Sequence, residues 1–176
     1  VDTISTEKKQ RLSQNWFSVI INTYPTESKA FFGKNKDLFA NPVGNTIKRN
    51  IERLTHEVLL LDLNRDHVKE ALEPIIRIRA VQEFSISDAL VFIFAFKTIF
   101  RKENPSLSQT EEGRLYLEAL DANIDEIVLM ALDIYMSCKH KIYTLRINEA
   151  KKHVRQLLIK KNLMCELPET GVEIIR

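Results

Sequence analysis

Residues 75–97 read IIRIRAVQEFSISDALVFIFAFK, and how this stretch is parsed decides the fold. Two apolar segments meet at Phe84-Ser85, with Arg77, Arg79, Gln82 and Glu83 crowded just before the joint. Ser85 and Asp88 stand at the spacing of a capping box, where the serine hydroxyl accepts from the backbone of the third helical residue. They open a helix expected over 86–102 that is apolar on almost every side, which makes it the central, most buried element.

Working outward, the chain reads as helices throughout. A first helix is expected from Thr6 to Thr23, with Leu12, Trp16, Val19 and Ile20 on one face at spacings of three and four. Tyr24-Pro25 ends it, because proline disfavours a helical residue before it. Short turns are expected from Thr26 to Phe39, with Phe31, Phe32, Leu38 and Phe39 as aromatic packing. Asn41-Pro42 then pairs an N-cap acceptor with a proline whose missing N–H is harmless at the first helical position. That helix is expected to reach Asp62, with Ile47, Ile51, Leu54, Val58 and Leu61 inward. Asn64 starts the next, which runs to about Phe84 through Pro74 and should kink there.

Asn104-Pro105 closes the central helix, and Ser108 with Glu111 is expected to cap the last one, over Gln109 to about Leu163. At 1.5 Å per residue that span is roughly 80 Å, against a radius of gyration near ~16 Å for a compact domain of this length. It must break near Asp121–Asn123 or project. Leu117, Leu120, Ile124, Ile127, Ala131, Ile134 and Cys138 form a heptad-like seam, the expected dimer contact. Beyond Cys138 the stripe shifts to Tyr143, Ile147, Ala150, Val154 and Leu157, an offset like a stutter. The domain is expected to cover residues 1–163, with 164–176 a tail or linker.

Composition agrees with one helical domain. The chain has 176 residues, 44% of them hydrophobic and 28% charged, and a domain of that size buries about 70% of its unfolded surface. Four glycines are too few for the turns of most parallel α/β or β-sandwich folds. Two cysteines make no disulfide framework, which suits a reducing cytosol. The longest apolar run, Ala89 to Phe96, is far shorter than a membrane span, and no signal peptide is visible. Net charge is +2, but Lys139 to Lys161 holds eight Lys and Arg against Glu149 alone, a net of +7 that leaves −5 elsewhere.

Reaction chemistry is scarce. No glycine-rich spacing could bring backbone N–H groups against a phosphate. Cys138 and Cys165 lie far apart, and no His-x-x-x-His pair offers a zinc site. Cys138-Lys139-His140 places thiol and imidazole on neighbouring helical positions that point away from each other, so no nucleophile–base pair arises. No enzyme, metal or cofactor is therefore expected. If haem bound, His56 and His67 are the candidate ligands, although each suits a polar residue at the core edge. The basic segment could meet nucleic acid or an anionic surface, but it has little aromatic interleaving beyond Tyr143, so dimerisation or partner docking through this helix is favoured. Arg77 and Arg79 point to different faces. One reading is a snorkelling arginine paired with Glu73 or Glu83. The other is a polar latch formed by Arg77, Arg79, Gln82, Phe84 and Ser85 that passes a change across the joint.

Three motifs carry a family resemblance: Asn41-Pro42-Val43-Gly44; Ile78-Arg79-Ala80-Val81-Gln82-Glu83-Phe84-Ser85; and Ala89-Leu90-Val91-Phe92-Ile93-Phe94 followed by Lys97. With Trp16 and the Tyr24-Pro25 exit, they resemble the N-terminal domain of RsbRD-type RsbT co-antagonists over Leu12 to Lys102. The resemblance implies an all-α, globin-like fold without haem. It also implies a dimer that serves as the sensory domain of a stressosome-type regulator; with the heptad seam, the expectation is a cytoplasmic homodimer paired through its last two helices that meets a regulatory protein partner. Such proteins continue into a STAS domain that carries phosphorylated threonines. Nothing after Leu163 is long enough to be one, so the phosphorylation switch is not carried over.

Overall fold

The computed structural model describes residues 4–25, 29, 32, 41–60 and 62–163. Among them the chain is all-α: α1 (Thr6–Asn22), α2 (Pro42–Val58), α3 (Arg65–Val81), α4 (Ile86–Glu103) and α5 (Glu111–Lys160), with a 3-10 turn at Pro105–Gln109. Of the turns expected over 26–39, only residues 29 and 32 are described; Leu61 and the tail after 163 also lie outside the described residues. No helix among the described residues is long and apolar enough to cross a membrane.

The capping residues start most of the helices. Ser5 accepts from Lys8 N, Asn41 from Gly44 N, Asn64 from Asp66 N and His67 N, and Ser85 from Asp88 N. The exception is α5. Ser108 donates to the Pro105 carbonyl, and Thr110 Oγ1 accepts from Gly113 N at 3.1 Å, so Thr110 takes the place expected of Ser108. Two ends also differ. α2 stops at Val58 rather than Asp62, where the Leu59 and Leu60 carbonyls accept from Tyr116 Oη and Asn123 Nδ2. Side chains of α5 thus replace the next helical turn as partners for carbonyls that a helix end leaves open. α3 stops at Val81 and runs through Pro74 without ending there.

The chain divides into two compact units, Val1–Lys139 and His140–Arg176. The first holds the core, built from Leu12, Trp16 and Ile20 of α1, Ile47, Ile51 and Leu54 of α2, Leu72, Ile75 and Ile76 of α3, and the buried faces of α4 and α5. Each such side chain contributes about 1.5–3 kcal/mol by leaving water. Trp16 pins α1 to α4: its indole donates to the Phe92 carbonyl at 2.7 Å and its ring lies 4.5 Å from that of Phe96. Arg101–Asp121 and Lys97–Asp125 ion pairs, each at 2.6 Å, tie α4 to α5. Moving forward along α4 by four residues moves back along α5 by four, so the two helices run antiparallel.

α5 is one helix of 50 residues, with no break at Asp121–Asn123. Both residues are engaged, Asp121 by Arg101 and Asn123 by the Leu60 carbonyl, and no Pro or Gly follows Gly113 within the helix. The core cluster reaches Tyr135, with Cys138 packed against it, and the first unit closes at Lys139. The second unit contains the rest of α5, whose large apolar side chains Tyr143, Leu145, Ile147, Val154 and Leu157 are exposed.

Gly113 is sterically required where the 3-10 turn meets α5. A Cβ there would stand 2.0 Å from the Leu107 carbonyl oxygen, a backbone atom that cannot swing aside. Gly113→Ala is expected to cost about 1–3 kcal/mol, read as a lowered urea midpoint at unchanged slope.

Candidate functional site

The most unusual chemistry in the first unit is a buried cation. Arg79, in the last turn of α3, has a relative exposure of 0%. Its Nε donates to the Ala89 carbonyl at 3.1 Å, Nη2 to the Asp88 carbonyl at 2.6 Å, and Nη1 to Thr23 Oγ1 at 3.1 Å. One guanidinium thereby ties the end of α3 to the first turn of α4 and to the C-cap of α1. Its central carbon lies 4.1 Å from the Phe84 ring centre and 5.6 Å from those of Tyr24 and Phe92. Among the described residues it makes no ion pair; main-chain carbonyls and ring faces hold it instead.

That arrangement is electrostatically taut. Burial pulls the Arg79 pKa down, while Tyr24 and Asp88 oppose the shift. A helix N-terminus is the positive end of its dipole and repels a cation; the first-turn carboxylate of Asp88 counters this. The Tyr24 hydroxyl is pushed up by burial, with the arginine pulling the other way, and it donates to Gln82 Oε1 at 2.9 Å.

The joint between α3 and α4 is built around this cation. Glu83 adopts φ 63°, the left-handed conformation that usually selects glycine at a helix end. Phe84 N then donates to the Arg79 carbonyl at 3.3 Å, the six-to-one bond of a Schellman turn. In that motif the residue past the turn packs on the helix it leaves; here Phe84 lies on the guanidinium. Tyr135 of α5 donates its hydroxyl to the Phe84 carbonyl, so the joint also touches the last helix. Ser85 Oγ donates to Asp88 Oδ2 at 2.6 Å as well as capping α4.

Of the five residues expected at the joint, Arg79, Gln82, Phe84 and Ser85 converge. Arg77 does not: it is exposed and pairs with Glu73 one turn back, the snorkelling alternative. Sequence reading missed Thr23, Tyr24, Phe92 and Tyr135. In sequence Tyr24-Pro25 marks a helix exit without naming a neighbour, and Tyr135 stands 51 residues from its partner Phe84.

The seam residues lie elsewhere than expected. Leu117, Leu120, Ile124, Ile127 and Ala131 are buried in the chain's own core, and Ile134 and Cys138 pack against it. The three-and-four spacing from Leu117 to Ala131 marks the inner face of α5, and Ile134 and Cys138 are only partly buried. The opposite surprise concerns α4. Although apolar nearly all round, it leaves Val91 50% and Phe94 46% exposed. On α5, Leu115, Leu129 and Met136 are exposed as well. The antiparallel register set by Lys97–Asp125 brings Phe94 level with the turn holding Leu129.

His56 and His67 flank a carboxylate at the rim between α2 and α3. Their Nδ1 atoms lie 3.6 and 3.4 Å from Glu57 Oε1, and both side chains are more than half exposed. Neither stands in an apolar-walled cavity of the kind a proximal haem ligand needs. Among the described residues no group of three His, Cys, Asp or Glu is placed to hold a metal.

The family described as the RsbT co-antagonist protein rsbRD N-terminal domain matches residues 10–149. No curated protein and no solved structure matches the chain.

Arg79→Lys keeps the charge but loses the planar fork, and is expected to destabilise the first unit by about 2–3 kcal/mol. Tyr135→Phe removes one hydrogen bond and is expected to cost about 1 kcal/mol. Thermal or urea unfolding of the two variants checks both the order and the sizes.

Proposed function

The chain belongs to the RsbT co-antagonist rsbRD N-terminal domain family, a family of stressosome-associated regulatory domains, and we propose that it works there as a homodimeric, non-enzymatic sensor module. In this reading it is a globin-like domain without haem, acts in the cytoplasm, and passes its state to a regulatory protein. The observation that carries the dimer is the outer face of α4 and α5. A helix apolar on every side belongs in an interior. Here one side of α4 packs on the chain's own core, while Val91 and Phe94, with Leu129 and Met136 of α5, meet solvent. Joining two such faces across a twofold axis makes a four-helix contact from the last two helices of each copy.

The Arg79 joint supports the relay. Displacing its guanidinium breaks bonds to α1 and α4 together, and the Tyr135–Phe84 bond couples that event to α5. Because Tyr135 lies one residue from Met136, a shift at the joint alters the face through which the copies pair. The switch is therefore a change in helix packing, with no covalent step.

Sedimentation velocity tests the pairing. The chain is expected to run as a dimer at micromolar concentration, and Phe94→Asp with Leu129→Asp as a monomer with unchanged far-UV circular dichroism. A wild-type monomer across the whole range, or a double variant that still pairs, would refute the interface.

A further inference from the structure

A cleft of about 750 Å³ lies between α1 and α2, within the range of ~300–1,000 Å³ in which small molecules are held. Its place follows from the residues that face each other there. Ser13 and Ser18 of α1 and Gly44 of α2 line it, and they are too short to fill the space between two helices. Phe32 closes one end: its ring lies 5.1 Å from that of Tyr24, just past α1, and its carbonyl accepts from Asn41 Nδ2 at the cap of α2. The end of α1 therefore meets the start of α2, and the two helices run antiparallel along the cleft.

The lining is divided by chemistry. Phe17, Ile21 and Phe32 form an apolar wall, with both rings partly buried and Ile21 buried. Lys29 and Lys48 line it as well, and neither has an ion-pair partner among the described residues. Glu52, about 12 Å along α2 from Gly44, stands at the far end and confines an anion to the Phe32 end. Two ammonium groups beside two rings call for a negative charge carried on an aromatic body. Polar side chains alternate with the rings around the wall, so a compact ring with a polar edge fits better than an alkyl chain. A phosphate fits less well, because the Gly44 and Asn45 N–H groups at that end are both taken by Asn41.

We infer that the cleft between α1 and α2 binds an aromatic carboxylate, its ring against Phe17 and Phe32 and its charge met by Lys29 and Lys48. Ile21 and Asn22 line the cleft in the last turn of α1 and directly precede Thr23, which accepts from Arg79. Occupancy gives the proposed sensor an input beside the joint, while binding itself does not rest on that reading.

The test follows amide chemical shifts of the isotope-labelled full chain titrated with indoleacetate, indoleacetamide and tryptamine, which share one ring system and differ in charge. Indoleacetate is expected to shift the amides of Phe17, Ile21, Gly44 and Lys48 saturably. It should bind about tenfold more tightly than tryptamine, with indoleacetamide between them. Acetate, the charge without the ring, should leave these amides unmoved at the same concentrations. Lys48→Glu, at an exposed helical position, should weaken indoleacetate about tenfold and improve tryptamine. Ser18→Phe should block all three by filling the cleft from its exposed rim. Phe94→Asp with Leu129→Asp should leave the affinity unchanged, so that loss of pairing and loss of binding are read apart. Equal affinity for indoleacetate and tryptamine, no saturable shift at millimolar concentration, or binding undiminished by Lys48→Glu or Ser18→Phe overturns the inference. So do shifts centred on α4 and α5, which would assign the ring to their exposed apolar face. Displacement of indoleacetate by an equal concentration of inorganic phosphate would likewise overturn it, by making the cleft a plain anion site.

Discussion

The first unit depends on how one buried guanidinium is satisfied. Arg79 brings a full charge into the core without an ion pair among the described residues, and burying a charge that way is costly unless its donors are matched. The match comes from two carbonyls at the start of α4, a hydroxyl at the end of α1 and three aromatic rings. The planar fork reads all of these at once. A single ammonium would offer donors without the plane that Phe84 covers. The left-handed turn at Glu83 follows from this demand, since it folds Phe84 back onto the arginine while closing a bond to that residue's own carbonyl.

Around this clamp the helices divide their labour unevenly. α1 and α2 turn single apolar faces inward, whereas α4 is apolar enough to be enclosed and is covered on one side only. α5 carries two apolar registers in succession. One is spent inside the core as far as Tyr135, and the other, beyond His140, is exposed between cationic edges. The same helix therefore packs within the chain first and leaves its second apolar stripe exposed, and the change of stripe near Cys138 is where one register gives way to the other.

Much of this was legible in the residues. The caps at Asn41, Asn64 and Ser85 are local hydrogen-bonding choices, and the inner faces of α1 and α2 follow from spacing alone. What escaped depended on distant neighbours. A three-and-four repeat marks a face without naming its occupant, so Leu117 to Ala131 read as a dimer seam although α5 spends them within the chain. Arg77 and Arg79 sit two positions apart and looked equivalent. Only Thr23 and the rings of Tyr24 and Phe92, brought in from α1 and α4, distinguish the buried one. Ser108 and Thr110 are both competent caps; the 3-10 turn, tightened against Gly113, selected the second.

Trp16 is the only tryptophan in the chain, and it is fully buried with its indole N–H on the Phe92 carbonyl. Phe92 in turn presents its ring to the Arg79 guanidinium. Indole emission, excited beyond the absorption of the four tyrosines, therefore comes from one site, a single ring away from the joint. Separating α1 from α4 would hydrate the indole and move its emission to the red, whereas movements confined to residues 140–160 would leave it dark to the change. The fold thus contains a built-in optical gauge of its own clamp, readable without any label.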